Sequence, residues 1–596
     1  MSVSHVHLVP IVKVSRKSCW LDDTHKQLLC ADNNKLLFWN LAAQEGGMQA
    51  PPQVCFLSQG PVITARFSSD KQLLAVMRSN TEIEFVNQED GSQFWQKCKS
   101  TSKLLGYFWC DGKNCDVVFV TTGGLELYKL LESKKGLQLK ETKKHDIKWY
   151  RYTADTKLII IQDSSRLLGY QFQVDTLVKL PKFQVDAKGT LTPESIHPLA
   201  LYGKLFCCHI NALAERVVLY RLYKDAIIKQ FSFPTYSKHM GISVVDNLLL
   251  VHHMDSGLVM IFDVMTNNMQ PFVSPLPVLC RQMSSASNVR GASSPLLSSS
   301  PSTSAMNSPR DDGGSKEEGE EDDEMNPFPS GTGNCITMGH FLLDVNNEMA
   351  WRIELDLDAI ASSCSNRVQL ISFLHRRSEH RRIISVLKTM VQEYESLVTL
   401  RQAFEIICFV SANSEQAAAG HHSTINEVHQ IFSSLFEDQA VEVDFLLSAM
   451  ETFYLCSTSF QLKLPSCFFC LMVDMLIMLR RFEDLTQYLS GHFFEDSKEL
   501  ASKLESLSEE YPHTSEYAID MYFRLKEYDQ CCAILFKHNR LIDSLRMLKD
   551  HHLSSIAPVT FLDAAAASQD PMLFASVYRF CKEFVPGFTY NNILKQ

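Results

Sequence analysis

The 596-residue sequence has no apolar run long enough to cross a bilayer. The longest, Cys467 to Leu479, is 13 residues interrupted by Asp474; as a helix it rises about 20 Å, against roughly 30 Å of hydrocarbon core. It is expected to be a buried core helix. Residues 1–20 contain His5, His7, Lys13, Arg16 and Lys17 and lack the continuous apolar stretch of an export signal. The 18 cysteines lie among apolar neighbours without the spacing of a small disulfide framework, so reduced thiols in a cytoplasmic protein are expected. A large basic surface is also missing. The net charge is −11, and residues 311–324 (DDGGSKEEGEEDDE) alone carry nine acids and one lysine, which argues against nucleic acid as a partner.

Catalytic signatures are absent too. There is no G-x-x-x-x-G-K-[ST], no G-x-S-x-G and no dinucleotide fingerprint, and Gly331-Thr332-Gly333 is too bare to cradle a phosphate. Cys467-Phe468-Phe469-Cys470 matches C-x-x-C, but no second pair or histidine pair lies at zinc-binding distance. Buried core cysteines are the better reading. His252-His253 falls in an apolar strand, where alternation turns the two rings to opposite faces. His421-His422 and His551-His552 flank helices. None of these pairs makes a converging metal set, and no catalytic, cofactor or metal site is expected.

What the sequence does have is a repeat of about 42 residues. Copies begin with CWLDDTHKQLLCADNNKLLFWNL (19–41) and ARFSSDKQLLAVMRSNTEIEFVN (65–87) and continue through KWYRYTADTKLIIIQDSSRLLGYQF (148–172). An apolar anchor recurs at Trp39, Val86, Tyr128, Tyr170, Tyr220, Phe262 and Trp351, with separations of 47, 42, 42, 50, 42 and 89 residues. Forty-odd residues rich in short strands is the size of one four-stranded propeller blade. Seven units predict a WD-like seven-bladed β-propeller over 1–356, with the segment Val3 to Val14 pairing with the last blade to close the ring.

Residues 281–333 interrupt the last repeat. They are Ser/Pro-rich and then acidic, a composition that buries too little apolar area to offset its ordering entropy, and a disordered loop inside the propeller is expected. Ser294, Ser300 and Ser308 precede proline and are candidate phosphorylation sites, against the alternative of a passive spacer. From 357 to 596 the apolar period changes to between three and four, as in the stripe Ile383, Ile384, Leu387, Met390, Val391 and Tyr394. Segments Tyr517 to Lys526, Asp529 to His538 and Leu541 to Lys549 read as short helices, with Ser515 or Asp543 as N-caps. Stacked short helices imply an all-α solenoid. Arg376, Arg377, Arg381 and Arg382 form the strongest basic cluster, a contact for an acidic partner or anionic lipid unless it is simply a solvated flank.

A propeller followed by a solenoid is used by coat and tether subunits of the vacuolar-sorting type, which is one alternative; a propeller enzyme is another, disfavoured by the lack of convergent acids, metal ligands or a nucleophile. Four stretches go further: IKWYRYTADTKLIII (147–161), LVKLPKFQV (177–185), SVVDNLLLVHHMDSGLVMIFDV (243–264) and FLDAAAASQDPMLFASVYRFCKE (561–583). They resemble the Bulli family, the third subunit of the metazoan Mon–Ccz exchange complex for the late-endosomal Rab GTPase, Rab seven. The resemblance implies a non-catalytic accessory subunit in a heterotrimer with Mon and Ccz, peripheral on late endosomes and lysosomes. It further implies a part in endosome maturation, lysosomal trafficking and autophagy. In that family the exchange chemistry belongs to the other two subunits, so the resemblance implies no catalytic residue here.

Overall fold

The computed structural model describes all residues except 1–3, 14–18, 33, 42–50, 100, 132–134, 175, 188, 281–325, 328–334, 345–348, 414–421 and 586–596. The chain forms two compact units, Met1–Ser365 and Asn366–Gln596. The first is a seven-bladed β-propeller and the second is helical.

Six blades are four-stranded antiparallel meanders with strands in sequence order, beginning at Cys19, Thr64, Leu104, Ile147, Ile196 and Met240. The second strand of each is close to continuously apolar, as in Leu73–Met77 (LLAVM) and Val117–Thr121 (VVFVT), and every residue of those two is buried. Alternation fails there because neighbouring blades cover both faces of the strand. Each recurring anchor sits on the third strand of its blade, opposite an apolar residue of the second: Val86 faces Leu74, Tyr128 faces Val117, Tyr170 faces Ile159 and Phe262 faces Leu249. The core is laid down between blades. Phe206, Leu219 and Phe233 of blade five, for example, pack with Ile242, Val251 and Phe262 of blade six.

Blade seven closes the ring. Strand Val6–Lys13 pairs antiparallel with Met349–Leu355, and Leu279–Cys280 adds a short parallel pairing on its other side. Packing of Ile11, Val12 and Phe341 against Leu28, Cys30 and Trp39 joins the last blade to the first. A short helix, Leu357–Ser363, stays with the propeller unit: Asp356 caps it by accepting from the amides of Asp358 and Ala359, and also meets His7 Nε2 at 3.1 Å.

In the second unit thirteen helices run from Arg367–His375 to Pro571–Phe584 among the described residues, and most pack on the next helix or the next but one along the chain. Ile383, Leu387, Met390 and Val391 of helix His380–Gln392 are buried as their spacing requires, with Ile384 half-buried. Tyr394 departs from that stripe. It lies past the helix end at φ 56°, and its hydroxyl accepts from the Glu442 amide at 2.9 Å. The expected N-caps are also corrected. Ser515 lies inside helix His513–Arg524 and Asp543 in the first turn of Leu541–Asp550. The capping side chains in this unit include Asn366, Ser497 and Asp570, each accepting from amides two or three residues on.

Candidate functional site

The four arginines come together at one turn. Arg376 and Arg377 end helix Arg367–His375, and Arg381 and Arg382 open helix His380–Gln392. Three of them are engaged locally. Arg377 lies 3.8 Å from the centroid of the Phe373 ring and donates to the Phe373 carbonyl at 3.0 Å. Arg376 donates to Ser372 Oγ at 2.7 Å, and Arg382 to the Glu379 carboxylate. Arg381 is exposed. Cations at a helix C-terminus offset its partial negative charge, so the turn has a structural use for at least two of them. Ser294, Ser300 and Ser308 lie outside the described residues.

Helix Ser466–Met478 buries Phe468, Phe469, Leu471, Met472, Val473, Met475 and Leu476. Its two cysteines do not join that core, contrary to expectation: Cys467 is exposed and Cys470 half-buried. They fall on the outward stripe with Asp474 and Met478, and Asp474 pairs with Lys503 at 2.6 Å. Partial burial raises both thiols above their ordinary pKa, which favours the protonated form. His252 and His253 do point to opposite faces. His252 shares a 2.6 Å hydrogen bond with Ser243 Oγ, and His253 turns to the Met260 sulfur at 3.2 Å. His551 stacks on Tyr528, and no group of three metal-ligating side chains converges among the described residues.

Polar groups converge instead in the central channel of the propeller, which sequence reasoning missed. A cavity of about 420 Å³ is walled by inner strands and turns of blades one, two, four, five, six and seven. It adjoins a second, of about 230 Å³, lined by Arg66, Tyr107, Phe108, Tyr150, Arg151 and Tyr152. Arg66 Nη1 lies 3.3 Å from Asp23 Oδ1, and Lys26 Nζ lies 2.7 Å from Asp155 Oδ1. Burial opposes the charge on Arg66, but Asp23 and Asp22 outweigh it and hold the guanidinium more firmly charged than usual. Arg151 Nε donates to the Pro193 carbonyl at 2.7 Å; burial pulls its pKa down, with Glu194 opposing. Burial, aided by Arg151, depresses His197 to about 4, so it is neutral at pH 7. Burial pushes Tyr107, Tyr150 and Tyr152 up, and all three stay protonated. The larger cavity carries the carboxylates Asp23 and Asp155, each paired with a cation, whereas the smaller one is lined by two guanidinium groups, three phenols and Phe108, a set suited to holding an anion.

The signal for the arginines was present. RFSSD (66–70) and RYTAD (151–155) occupy the same place in two copies of the repeat, and Arg66 and Arg151 pair with Ala75 and Ile160 at the same register.

Comparison with known proteins bears on both units. Among solved structures, the chain is similar to the β-propeller domain of Cps50 (Swd1) from Myceliophteria thermophila at 9% identity and a TM-score of 0.31, covering 46% of this chain and 92% of that one. The protein called regulator of MON1-CCZ1 complex from Homo sapiens is 24% identical over 585 residues, 88% of this chain and 84% of its own length. Its counterpart from Mus musculus is 23% identical over 581 residues, with the same coverage. Residues 20–137 match the family model described as regulator of MON1-CCZ1 complex, N-terminal, and residues 369–585 match its C-terminal companion. With a match in the propeller and another along most of the helical unit, together taking in more than half of the sequence, the chain belongs to the regulator of MON1-CCZ1 complex family.

Proposed function

We propose that this protein is a non-catalytic accessory subunit of a MON1–CCZ1 complex, a scaffold that supports activation of the late-endosomal Rab GTPase without performing the exchange chemistry. The observation that carries the reading is the pair of family matches, one in each structural unit. The architecture is compatible with it: a closed propeller and a stack of helix pairs offer large rigid surfaces of the kind that partner subunits use. In this reading the protein acts in endosome maturation, lysosomal trafficking and autophagy, peripheral on late-endosomal and lysosomal membranes. No helix among the described residues is long and apolar enough to span a membrane. The turn bearing Arg376, Arg377, Arg381 and Arg382 is then a contact for an acidic partner or lipid headgroup, with Arg381 the most available. Ser294, Ser300 and Ser308 are points where phosphorylation would add negative charge.

Co-expression of the three chains followed by purification on one tag tests the proposal. A stoichiometric ternary complex is expected, and the isolated chain should leave nucleotide release from the Rab at its intrinsic rate. Failure to co-purify, or exchange activity in this chain alone, would overturn it.

A further inference from the structure

The smaller channel cavity brings two guanidinium groups and three phenols together with no carboxylate in its wall. Arg66 has Asp23 at its edge, 3.3 Å away. Arg151 has no such partner: among the described residues no carboxylate lies within ion-pair distance, and the contact it makes is through Nε to the Pro193 carbonyl at 2.7 Å. Glu194 acts on it at longer range. A cation withdrawn from water without a counter-charge is strongly disfavoured, and a buried lysine or histidine would answer by losing its proton. Arginine does not deprotonate in proteins, so Arg151 keeps its charge and offers it to an anion that enters the cavity. The Nε bond to Pro193 ties the guanidinium to the backbone, and Arg151 lines both cavities.

The third group is Tyr150. Both guanidinium groups act on its phenol, and a Cβ at Gly106, on the facing inner strand of blade three, would collide with its hydroxyl. The glycine therefore opens the place that this hydroxyl occupies. In the wall of the adjoining larger cavity His197 and His340 are both shifted down and neutral at pH 7, and the carboxylates there, Asp23 and Asp155, face Arg66 and Lys26.

We propose that the propeller channel binds a small oxyanion, a phosphate or carboxylate group, held by the terminal nitrogens of Arg151 with Arg66 and the Tyr150 hydroxyl beside it. Planar guanidinium matches both groups, which accept two parallel hydrogen bonds. The larger cavity, about 420 Å³, leaves room for the remainder of a small organic anion.

Calorimetric titration and thermal unfolding of the full chain with inorganic phosphate, with citrate and with chloride at matched ionic strength test this. Saturable binding and a higher unfolding midpoint are expected with phosphate or citrate but not with chloride, and the stronger of the two identifies the headgroup chemistry. Arg151→Met should weaken binding at least tenfold and Tyr150→Phe at least threefold, while Lys140→Gln on the outer strand of blade three leaves it unchanged. If Arg151→Met fails to fold, Tyr150→Phe still decides, since it keeps the ring and removes only the hydroxyl. No saturable binding of either anion, or equal binding by both channel variants and the parent, would overturn the proposal and leave a water-filled channel.

Discussion

The Asp23 carboxylate in blade one accepts a 2.6 Å hydrogen bond from the Ala154 amide in blade four, a tie between residues 131 positions apart. Its other oxygen faces Arg66 of blade two. One side chain thus links three inner turns and strands at the channel mouth, and Lys26 with Asp155 lies beside it on the same pair of turns.

Asp23→Ala should therefore cost about 2–4 kcal/mol, because it strands the Ala154 amide and leaves the Arg66 guanidinium without its carboxylate. Lys26→Ala should cost under about 1 kcal/mol, since that pair is solvent-exposed, with Asp155 63% accessible. Urea unfolding of the two variants checks the order; equal losses would show that the tie across the ring carries no special weight.

Stability should fall in mild acid. Burial holds His252, His209 and His197 at about 4 in the folded state, below their ordinary value of 6.5. Between those values the unfolded chain binds protons that the folded chain does not, so stability is full above pH 6.5 and is lost as pH falls toward 4. His252→Gln keeps a hydrogen-bonding side chain for Ser243 and should flatten part of that decline. Urea midpoints measured from pH 7.5 to 4.5 report it, and an unchanged slope in the variant would remove His252 from the explanation.

Several solenoid helices end in a left-handed residue that is not glycine, Lys526 among them at φ 61°. After helix His513–Arg524 the Lys526 amide donates to the Phe523 carbonyl and the Glu527 amide to that of Tyr522, the 5→2 and 6→1 bonds that call for glycine at the left-handed position. Lys526 is exposed, so Lys526→Gly should stabilise the helical unit by about 0.5–1 kcal/mol. Lys526→Val, branched at Cβ, should destabilise it. Thermal unfolding of both variants gives the sign.

Limited proteolysis should cut first within 281–333, where Ser, Pro and acidic residues dominate. The two pieces should remain together, because strand Val6–Lys13 from the first pairs along its length with Met349–Leu355 from the second. Clean separation on a sizing column without denaturant would mean that this pairing does not hold the ring.

Much of the architecture was legible because it rests on local period. The anchors Trp39 to Trp351 mark the third strand of every blade, and the apolar strand before the first copy was free to complete the last. The helix pairs around Tyr528–Lys537 were placed within a few residues for the same reason, since an apolar face at 3.6-residue spacing is a property of the segment alone. Capping was less legible. Ser515 and Asp543 have the right chemistry, but where a helix begins depends on how it packs, and that left both inside their helices. The outward turn of Cys467 has the same origin: in a helix apolar on nearly all sides, composition does not say which side meets the neighbouring helix.

The sequence by itself determined the repeat, the number of blades and the change to helices, because each is written in spacing that a short segment carries. Tertiary structure alone decided the channel. Arg66 and Arg151 lie 85 positions apart in the sequence, and only closure of the ring turns their inner strands toward one cavity. Asp23 had several possible uses in its own turn; it meets Ala154 because seven blades leave blades one and four facing across the axis. Long-range electrostatic neighbours of this kind depend on distances that strand period does not encode, and closure fixes them.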